Sequence, residues 1–230
     1  MLEMDDISQA IVIAPHGDDE VLGAGGLIAT LRRAAASVRV IFFAVDASTH
    51  YGLSGSTTLT QRLEEIDAAS EFLGFDRRIV YCGTGQLERL DSVPQRDMVD
   101  VIEEELDRFE PDLLLIPHGD DYDQDHRACY HAAIAATRPI PREAGKHLVS
   151  RVLAYEMPKL VWADAFRPNV YLNITQVIDR KLDSIALYKS QLRASPHVRS
   201  LESIRALAQL RGSEIGVPYA EGFKALRWII

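Results

Sequence analysis

The sequence has little cysteine, no long apolar run and no excess of basic residues, and each shortage excludes a class of protein. Its 230 residues include 2 cysteines, Cys82 and Cys129, without the C-x-x-C spacing of a zinc or redox motif. We therefore expect no disulfide framework and two small core residues. No apolar run approaches the roughly 18 residues of a membrane-spanning helix, and the N-terminus is acidic where a signal peptide needs basic residues. These shortages predict a soluble cytoplasmic protein without membrane insertion.

The charge balance is acidic, because 34 acidic residues against 25 Lys and Arg give a formal net charge of -9 at pH 7. This balance disfavours a nucleic-acid partner or an anionic membrane surface, since both attract cationic proteins. The length suits one α/β domain with a sizeable core. We expect residues 1–230 to form a single domain with a C-terminal helical extension from about residue 175. That extension is a candidate for a subunit contact in a homo-oligomer.

Apolar strand patterns alternate with helical patterns along the chain. The strand patterns are Ala10–Ala14, Val38–Ala44, Arg78–Cys82, Asp112–Pro117, Arg151–Met157 and Val170–Ile174. The helical patterns are Val21–Leu31, Thr57–Leu73, Ser92–Phe109, Arg127–Thr137, Gln176–Leu192, Ser200–Gln209 and Ala220–Trp228, and Gly74 supplies a stop signal. Within the third helix, Glu103–Glu105 is typical of a solvated charge run. The alternation predicts an α/β fold with a doubly wound, mostly parallel sheet and helices on both faces.

A polar cluster follows the first strand directly, at the edge where an open α/β sheet binds ligands. The imidazole of His16 lies there with three carboxylates, Asp18, Asp19 and Glu20, and such crowding of like charges is unfavourable unless a cation or hydrogen bonds compensate it. His16 and Asp19 are three residues apart, so one helical turn could bring both to one metal ion. The alternative is that Asp18 or Asp19 caps the following helix.

A second polar cluster, residues 118–126, follows the strand that ends at Pro117. Two such clusters at the carboxyl ends of strands can face one another where the strand order reverses. The alternative is a flexible acidic loop in which Asp125 caps the next helix. The candidate residues of this cluster are His118, Asp121, Asp123, Asp125 and His126.

If both clusters bind one ion, His16, Asp19 and His126 provide two imidazoles and one carboxylate and leave a coordination position for water. Zinc lowers the pKa of bound water to about 7, so hydroxide becomes available for attack on a carbonyl. Asp18 is the candidate to accept the water proton and return it to the leaving amine. The same donor set suits non-haem Fe²⁺, so the residues leave the metal open.

The motif Pro15-His-Gly-Asp-Asp-Glu20, with Gly25 and Gly26 after it, resembles the P-H-P-D-D-E signature of the LmbE/PIG-L family of zinc-dependent N-acetylglucosamine deacetylases. The resemblance implies a Rossmann-like fold, zinc ligands at His16, Asp19 and His126, and a general base at Asp18. The 118–127 pattern resembles the branch found with bacterial polysaccharide and amino-sugar biosynthesis.

Weaker matches extend the resemblance over almost the whole chain. Arg62 and the helix that ends before Gly74 resemble the family's second helix, where the Arg is associated with substrate binding. The alternative for Arg62 is a solvated surface residue. Tyr155 and Glu221 lie in further matching pieces and could contact the sugar, although ordinary packing explains them equally well. The other matching pieces are Arg167-Pro-Asn169, Asp179-Arg-Lys181 and Tyr188-x-Ser-Gln191.

Two positions depart from the family pattern. Gly17 stands where proline is common, which loosens the turn without removing a ligand. Asp123 stands where well-studied members have a His that helps to stabilise the oxyanion. Because an ionised carboxylate cannot do so, either His118 or another group takes the role, or the metal acts largely alone.

The sequence therefore predicts a metal-dependent hydrolase that removes acetyl from an N-acetylated amino sugar, free or conjugated. One alternative is a degenerate family member that binds a sugar without hydrolysing it. Another is a receiver-like signalling domain, which also binds a divalent cation through an acidic pair but needs an Asp at the end of its third strand, where this chain has Tyr81-Cys-Gly-Thr84. The remaining histidines are expected to be surface or core residues: His50, His131, His147 and His197.

Overall fold

A computed structural model describes residues 6–49, 55–139, 144–158 and 165–229. Its strands are β1 (Gln9–Ala14), β2 (Ser37–Val45), β3 (Ser48–Thr49), β4 (Ser56–Thr57), β5 (Asp76–Cys82), β6 (Leu113–Pro117), β7 (Arg151–Tyr155), β8 (Val170–Asn173) and β9 (Ala220–Trp228). Its helices are α1 (Asp19–Arg33), α2 (Leu59–Leu73), α3 (Gln95–Phe109), α4 (Gln124–Ala136), α5 (Ile178–Ala186) and α6 (Leu201–Ser213). His50, for which we predicted a surface or core position, lies outside the described residues.

A seven-stranded sheet with the order β5-β2-β1-β6-β7-β9-β8 forms the centre of the protein. The five strands from β5 to β7 are parallel, whereas β9 pairs antiparallel with β7 and β8. From β1 the chain proceeds outward to β2 and β5 and then returns to β6 on the other side of β1. The strand order therefore reverses between β1 and β6, which is where such sheets bind ligands.

Helices cover both faces of the sheet, and alternate residues of β1 face the two layers. Val12 lies in a core cluster with residues of α1, α2, α5 and α6. Ile13 lies in a second cluster with residues of α3 and α4. Because both faces are buried, β1 reads as a continuous apolar run. The predicted α/β fold, with a mostly parallel, doubly wound sheet, is confirmed.

Two glycines let α1 lie close to the sheet. A Cβ atom at Gly23 would lie 2.2 Å from Cδ2 of Tyr155 in β7, and one at Gly26 would lie 2.7 Å from Ile174. Neither position has room for a side chain. At the end of α2, Gly74 adopts a left-handed conformation with φ 82°, so the predicted stop signal is confirmed.

The C-terminal prediction is wrong in one respect, because Ala220–Trp228 is strand β9 rather than a helix. Pairing with β7 and β8 on both sides satisfies its backbone and overrides the apolar spacing. The expected helical extension therefore ends inside the main sheet. Cys82 is exposed, which contradicts the core prediction, whereas Cys129 is buried, and both are free thiols. Within the described ranges, no helix has the length and apolar character needed to span a membrane.

Candidate metal centre

The turn after β1 carries the first polar cluster in a constrained backbone. Asp18 precedes α1 with φ 122°, a region that side chains other than glycine rarely adopt. Its side chain forms no capping hydrogen bond, so the capping alternative does not apply to Asp18. Asp19 Oδ2 accepts a hydrogen bond from the His16 backbone N–H at 2.9 Å, which closes the turn. At Gly17, a Cβ atom would lie 2.8 Å from Ile66 of α2, so packing explains the glycine here.

The two clusters converge at the sheet edge. His16, Asp19 and His126 each place one ligand atom within 4.8 Å of the other two. Asp19 Oδ2 lies 3.4 Å from His16 Nδ1 and 3.2 Å from His126 Nε2. These separations match the edge of a tetrahedron around zinc, which is about 3.3 Å for bonds of about 2.0–2.1 Å. The two separations from Asp19 therefore have the length that a tetrahedral divalent ion requires.

A further carboxylate lies behind each imidazole. Asp125 Oδ2 is 2.9 Å from His16 Nε2, and Asp121 Oδ2 is 3.1 Å from His126 Nδ1. Metal-binding histidines usually have such a partner on the second nitrogen, because it fixes the ring orientation and raises the basicity of the ligand. His16 Nδ1 and His126 Nε2 therefore face the candidate ion.

Asp125 is anchored on its other side by the 3-10 turn Leu90–Ser92. Its Oδ1 accepts the Leu90 backbone N–H at 2.8 Å. The proposed helix cap at Asp125 is wrong, since Asp123 is the capping residue of α4 and accepts the Asp125 N–H at 3.0 Å. Asp125 instead connects the candidate metal site to the opposite loop.

Burial makes the negative charge at this centre costly without a cation. Asp18, Asp19 and Asp125 are at most 3% exposed. Among the described residues, neither Asp18 Oδ2 nor Asp19 Oδ1 has a hydrogen-bond partner. Burial lowers the pKa of His16, but its bonds to Asp125 and Asp19 outweigh this and raise the pKa to about 10. The surrounding carboxylates therefore favour positive charge at this position, which is the charge that a bound metal ion would supply.

Asp18 sits beside the three candidate ligands without being one of them. Arg199 Nη1 lies 3.4 Å from Asp18 Oδ2. Burial raises the pKa of Asp18, and the positive charge of Arg199 opposes that rise. The carboxylate can therefore bind a proton more readily than an exposed Asp while Arg199 still supports its ionised form.

A cleft with a volume of about 340 Å³ opens onto this centre. Among the predicted residues, His16, Asp18, Arg62 and Asp123 line it. The described lining also includes Leu22, Ser48, Thr49, Leu87, Glu88, Tyr122, Met157, Pro158, Gln191, Arg193, His197, Val198 and Arg199. Gln191 belongs to a matching piece of the sequence, but the sequence reasoning missed the contribution of Arg193, His197, Val198 and Arg199, which follow the predicted fifth helix without a recognised motif.

Arg62 is buried, so the solvated-surface alternative is wrong for this residue. Its Nη2 donates to the Gly17 carbonyl at 2.6 Å, and its Nη1 donates to Ser190 Oγ at 3.2 Å. Arg62 therefore holds the metal-site turn against the segment that follows α5. It also contributes to the cleft.

Three other predicted residues, His118, Tyr155 and Glu221, are not part of the cleft lining and contact other parts of the protein. His118 Nδ1 accepts the Asp120 N–H at 3.3 Å, and its ring contacts Phe166 edge-on at 4.9 Å between centroids. Tyr155 is fully buried and donates its hydroxyl to the Ile13 carbonyl at 2.9 Å. Glu221 is buried against α1. These contacts favour the packing alternative for Tyr155 and Glu221, whereas the oxyanion role of His118 stays a prediction.

The PIG-L family, described as GlcNAc-PI de-N-acetylase, matches residues 11–137, which is more than half of the chain. A diacetylchitobiose deacetylase of Thermococcus kodakarensis is 25% identical over 228 residues, which cover 95% of this chain and 83% of the relative.

Two solved structures cover nearly the full length. The conserved protein TT1542 of Thermus thermophilus has a TM-score of 0.73 at 25% identity and covers 96% of both chains. GalB, the 4-carboxy-2-hydroxymuconate hydratase of Pseudomonas putida, has a TM-score of 0.77 at 23% identity, with 97% of this chain and 98% of GalB covered. At that identity GalB shows a shared fold alone. The family match over residues 11–137 places the chain in the PIG-L family of GlcNAc-PI de-N-acetylases.

Proposed function

We propose that the protein is a metal-dependent hydrolase that removes the acetyl group from an N-acetylated amino sugar, free or conjugated. The observation that carries the proposal is the position of Asp19 Oδ2 between His16 Nδ1 and His126 Nε2. Family membership and the deacetylase activity named for the Thermococcus relative support the same reaction. We propose Zn²⁺ as the ion held by His16, Asp19 and His126, and Fe²⁺ or another divalent metal suits the same donors.

A bound divalent ion would supply a water of lowered pKa and polarise the substrate carbonyl. Asp18 is placed to accept the proton of the attacking water, because it lines the cleft beside the three ligands. Its raised pKa favours transient protonation, after which Asp18 can deliver the proton to the leaving amine. Asp121 and Asp125 hold the two imidazoles in orientation throughout.

Arg199 is our candidate for the charge-stabilising group that the sequence left unassigned. Asp123 caps α4 and carries the wrong charge for this task. Arg199 lines the cleft, and its guanidinium is fixed between Asp18 Oδ2 at 3.4 Å and Gln191 Oε1 at 2.8 Å. A fixed cation next to the proposed base can stabilise negative charge that develops on the substrate oxygen.

Acetate release tests this proposal directly. We expect the zinc-loaded protein to release acetate from N-acetylglucosamine-type substrates, including diacetylchitobiose and nucleotide-linked N-acetylglucosamine. EDTA treatment should abolish release, and added Zn²⁺ should restore it. Sugar binding by the metal-loaded protein without acetate release from any substrate would support the sugar-binding alternative instead. The receiver-like alternative is wrong, because the family assignment contradicts it.

A further inference from the structure

The cleft has two walls of different chemistry. The loops after β1 and β6 form one wall, which carries the candidate metal ligands and Asp18. The opposite wall is the segment 191–199, between α5 and α6. We call it the 191–199 wall, and it lines the cleft with Gln191, Arg193, His197, Val198 and Arg199.

Hydrogen bonds hold the 191–199 wall in a compact loop. The backbone N–H of Arg193 donates to the Arg199 carbonyl at 3.4 Å, and the N–H of Ser200 donates to the His197 carbonyl at 2.9 Å. The guanidinium of Arg193 donates through Nη1 to the carbonyls of Ser190 and Leu192, both at 2.8 Å. The loop therefore presents its two arginines and His197 in a fixed arrangement.

The positive charges of this wall act on one another. Burial and the neighbouring Arg199 lower the pKa of Arg193. Burial, Arg199 and Arg193 also lower the pKa of His197. Like charges held together cost free energy, and a bound anion would offset that cost. The two arginines of this wall contrast with the net charge of -9 of the whole chain. The lowered pKa of His197 favours its neutral form, in which Nδ1 accepts the Arg199 N–H and Nε2 carries the ring proton.

The acidic groups of the cleft lie mainly on the other wall. Asp18 is paired with Arg199, and Asp123 caps α4. Glu88 lines the cleft as an exposed residue. A metal ion would neutralise part of this acidic wall, so the loaded cleft would become more positive.

We propose that the 191–199 wall binds an anionic substituent, phosphate or carboxylate, on the amino-sugar substrate while the N-acetyl group lies at the metal centre. This inference rests on the proposed function. Arg193 and His197 are the contacting residues, since both line the cleft on this wall and neither is assigned a role at the metal centre. Guanidinium groups recognise phosphate and carboxylate through paired hydrogen bonds. The cleft volume of about 340 Å³ is within the range of small-molecule sites.

Matched substrates test the proposal with the zinc-loaded protein. The panel is N-acetylglucosamine, its 1-phosphate, its 6-phosphate and N-acetylmuramic acid, which carries a carboxylate. We expect kcat/KM for at least one anionic sugar to exceed that for the neutral sugar by about 10-fold or more, the scale of one charged hydrogen bond. The better anionic substrate distinguishes phosphate from carboxylate.

Substitution of Arg193 tests whether this residue causes the preference for anionic sugars. Arg193→Gln should reduce kcat/KM for the preferred anionic substrate by about 10- to 100-fold through KM, and it should reduce kcat/KM for the neutral substrate by a much smaller factor. Arg193→Lys should retain part of the preference, because it keeps the charge but loses the paired geometry. Arg108→Gln removes an exposed arginine of α3 and should change neither value. Added salt should weaken the preference in the parent protein more than in Arg193→Gln.

Calorimetric binding of the same sugar phosphates separates this inference from the proposed reaction. If Arg193→Gln weakens the binding of a sugar phosphate, the result supports anion binding by the 191–199 wall even when no substrate releases acetate. The absence of acetate release would then overturn the proposed function alone. Equal kcat/KM values for neutral and anionic sugars, unaffected by Arg193→Gln, would overturn the proposed anion binding by the 191–199 wall. The deacetylase proposal would remain intact.

Discussion

Lys181 Nζ lies 2.6 Å from Glu221 Oε1 in a buried ion pair that fills a break in helix α1. Ala24 departs from helical geometry, with φ -141° and ψ 15°. At the break, Lys181 Nζ donates to the Leu22 carbonyl at 2.9 Å, and Glu221 Oε1 accepts the Gly26 N–H at 2.7 Å. In an unbroken helix Gly26 would donate to Leu22, so the pair replaces that bond with two side-chain bonds.

Removal of one partner of this pair should be costly. Glu221→Gln leaves the buried Lys181 ammonium without its counter-charge, and we expect a loss of about 3–5 kcal/mol in the free energy of unfolding. Lys181→Met should cost a similar amount because it leaves Glu221 unpaired. The double variant should lose less than the sum of the single losses, as measured by urea denaturation. Additive losses would contradict the pairing.

The close contact of α1 with Tyr155 leads to a second stability prediction. Gly23→Ala would place a Cβ atom 2.2 Å from a ring that is fully buried, and we expect about 1–3 kcal/mol of destabilisation. Gly25→Ala is the matched control, since the atom nearest to its added Cβ would be Lys181 Cγ at 3.3 Å, a much longer separation than at Gly23. Thermal or urea unfolding should separate the two variants. Equal stabilities would show that the ring yields to the added methyl group.

Local patterns predicted most of the fold. β1 and β6 are buried on both faces, so each appears in the sequence as a continuous apolar run. β9 was misassigned because its apolar spacing also fits a helix, and its partners β7 and β8 lie far away in the chain. The short strands β3 and β4 have too few residues to show any periodicity.

The candidate site was predictable where its residues are close in sequence. His16 and Asp19 share one turn, and Asp121, Asp125 and His126 share another, so their spacing indicated a joint role. Arg199 carried no such signal, because its approach to Asp18 depends on how the segment between α5 and α6 packs. Tertiary contacts of this kind are absent from the local pattern.

Glu105 is another residue whose tertiary contacts the local sequence pattern does not reveal. Its contacts lead to a prediction about the pH dependence of stability. The sequence predicted a solvated residue, but Glu105 is buried and bonds Arg39 at 2.9 Å and Arg78 at 2.6 Å. Burial raises the pKa of Glu105, but the two guanidinium groups outweigh this and lower it. The stabilisation is therefore complete above the unfolded pKa of about 4.3 and is lost as the pH falls through the folded pKa.

We expect Glu105→Gln to cost about 1–3 kcal/mol in unfolding free energy at neutral pH. The difference from the parent protein should shrink as the pH falls toward about 3, because the parent carboxylate then becomes protonated. Urea denaturation across this pH range measures the effect. Glu104→Gln is the control, since Glu104 binds Arg78 from an exposed position. A difference that persists undiminished in acid would rule out the charged pair as its source.

The carboxylate behind His16 should tune metal affinity. Asp125→Asn keeps the size of the side chain but removes the charge beside His16 Nε2, and we expect zinc affinity to fall by about 10- to 100-fold. Competition with a chromophoric chelator measures this change. Asp120→Asn, at an exposed neighbour of His118, should leave the affinity unchanged. An unaltered affinity in Asp125→Asn would remove Asp125 from the metal site.

Asp18 and Asp19 are adjacent, but we expect their substitutions to have different effects on bound zinc and on acetate release. Asp19→Ala removes the carboxylate between the two imidazoles, so we expect bound zinc and acetate release to be lost together. Asp18→Asn should retain zinc, because Asp18 is outside the candidate ligand set, yet turnover should fall by about 10²- to 10⁴-fold through loss of the general base. Metal analysis and acetate release on the same preparations distinguish the two cases. If Asp18→Asn turns over at the parental rate, proton transfer must be assigned to another group, whereas loss of zinc from this variant would make Asp18 part of the metal site.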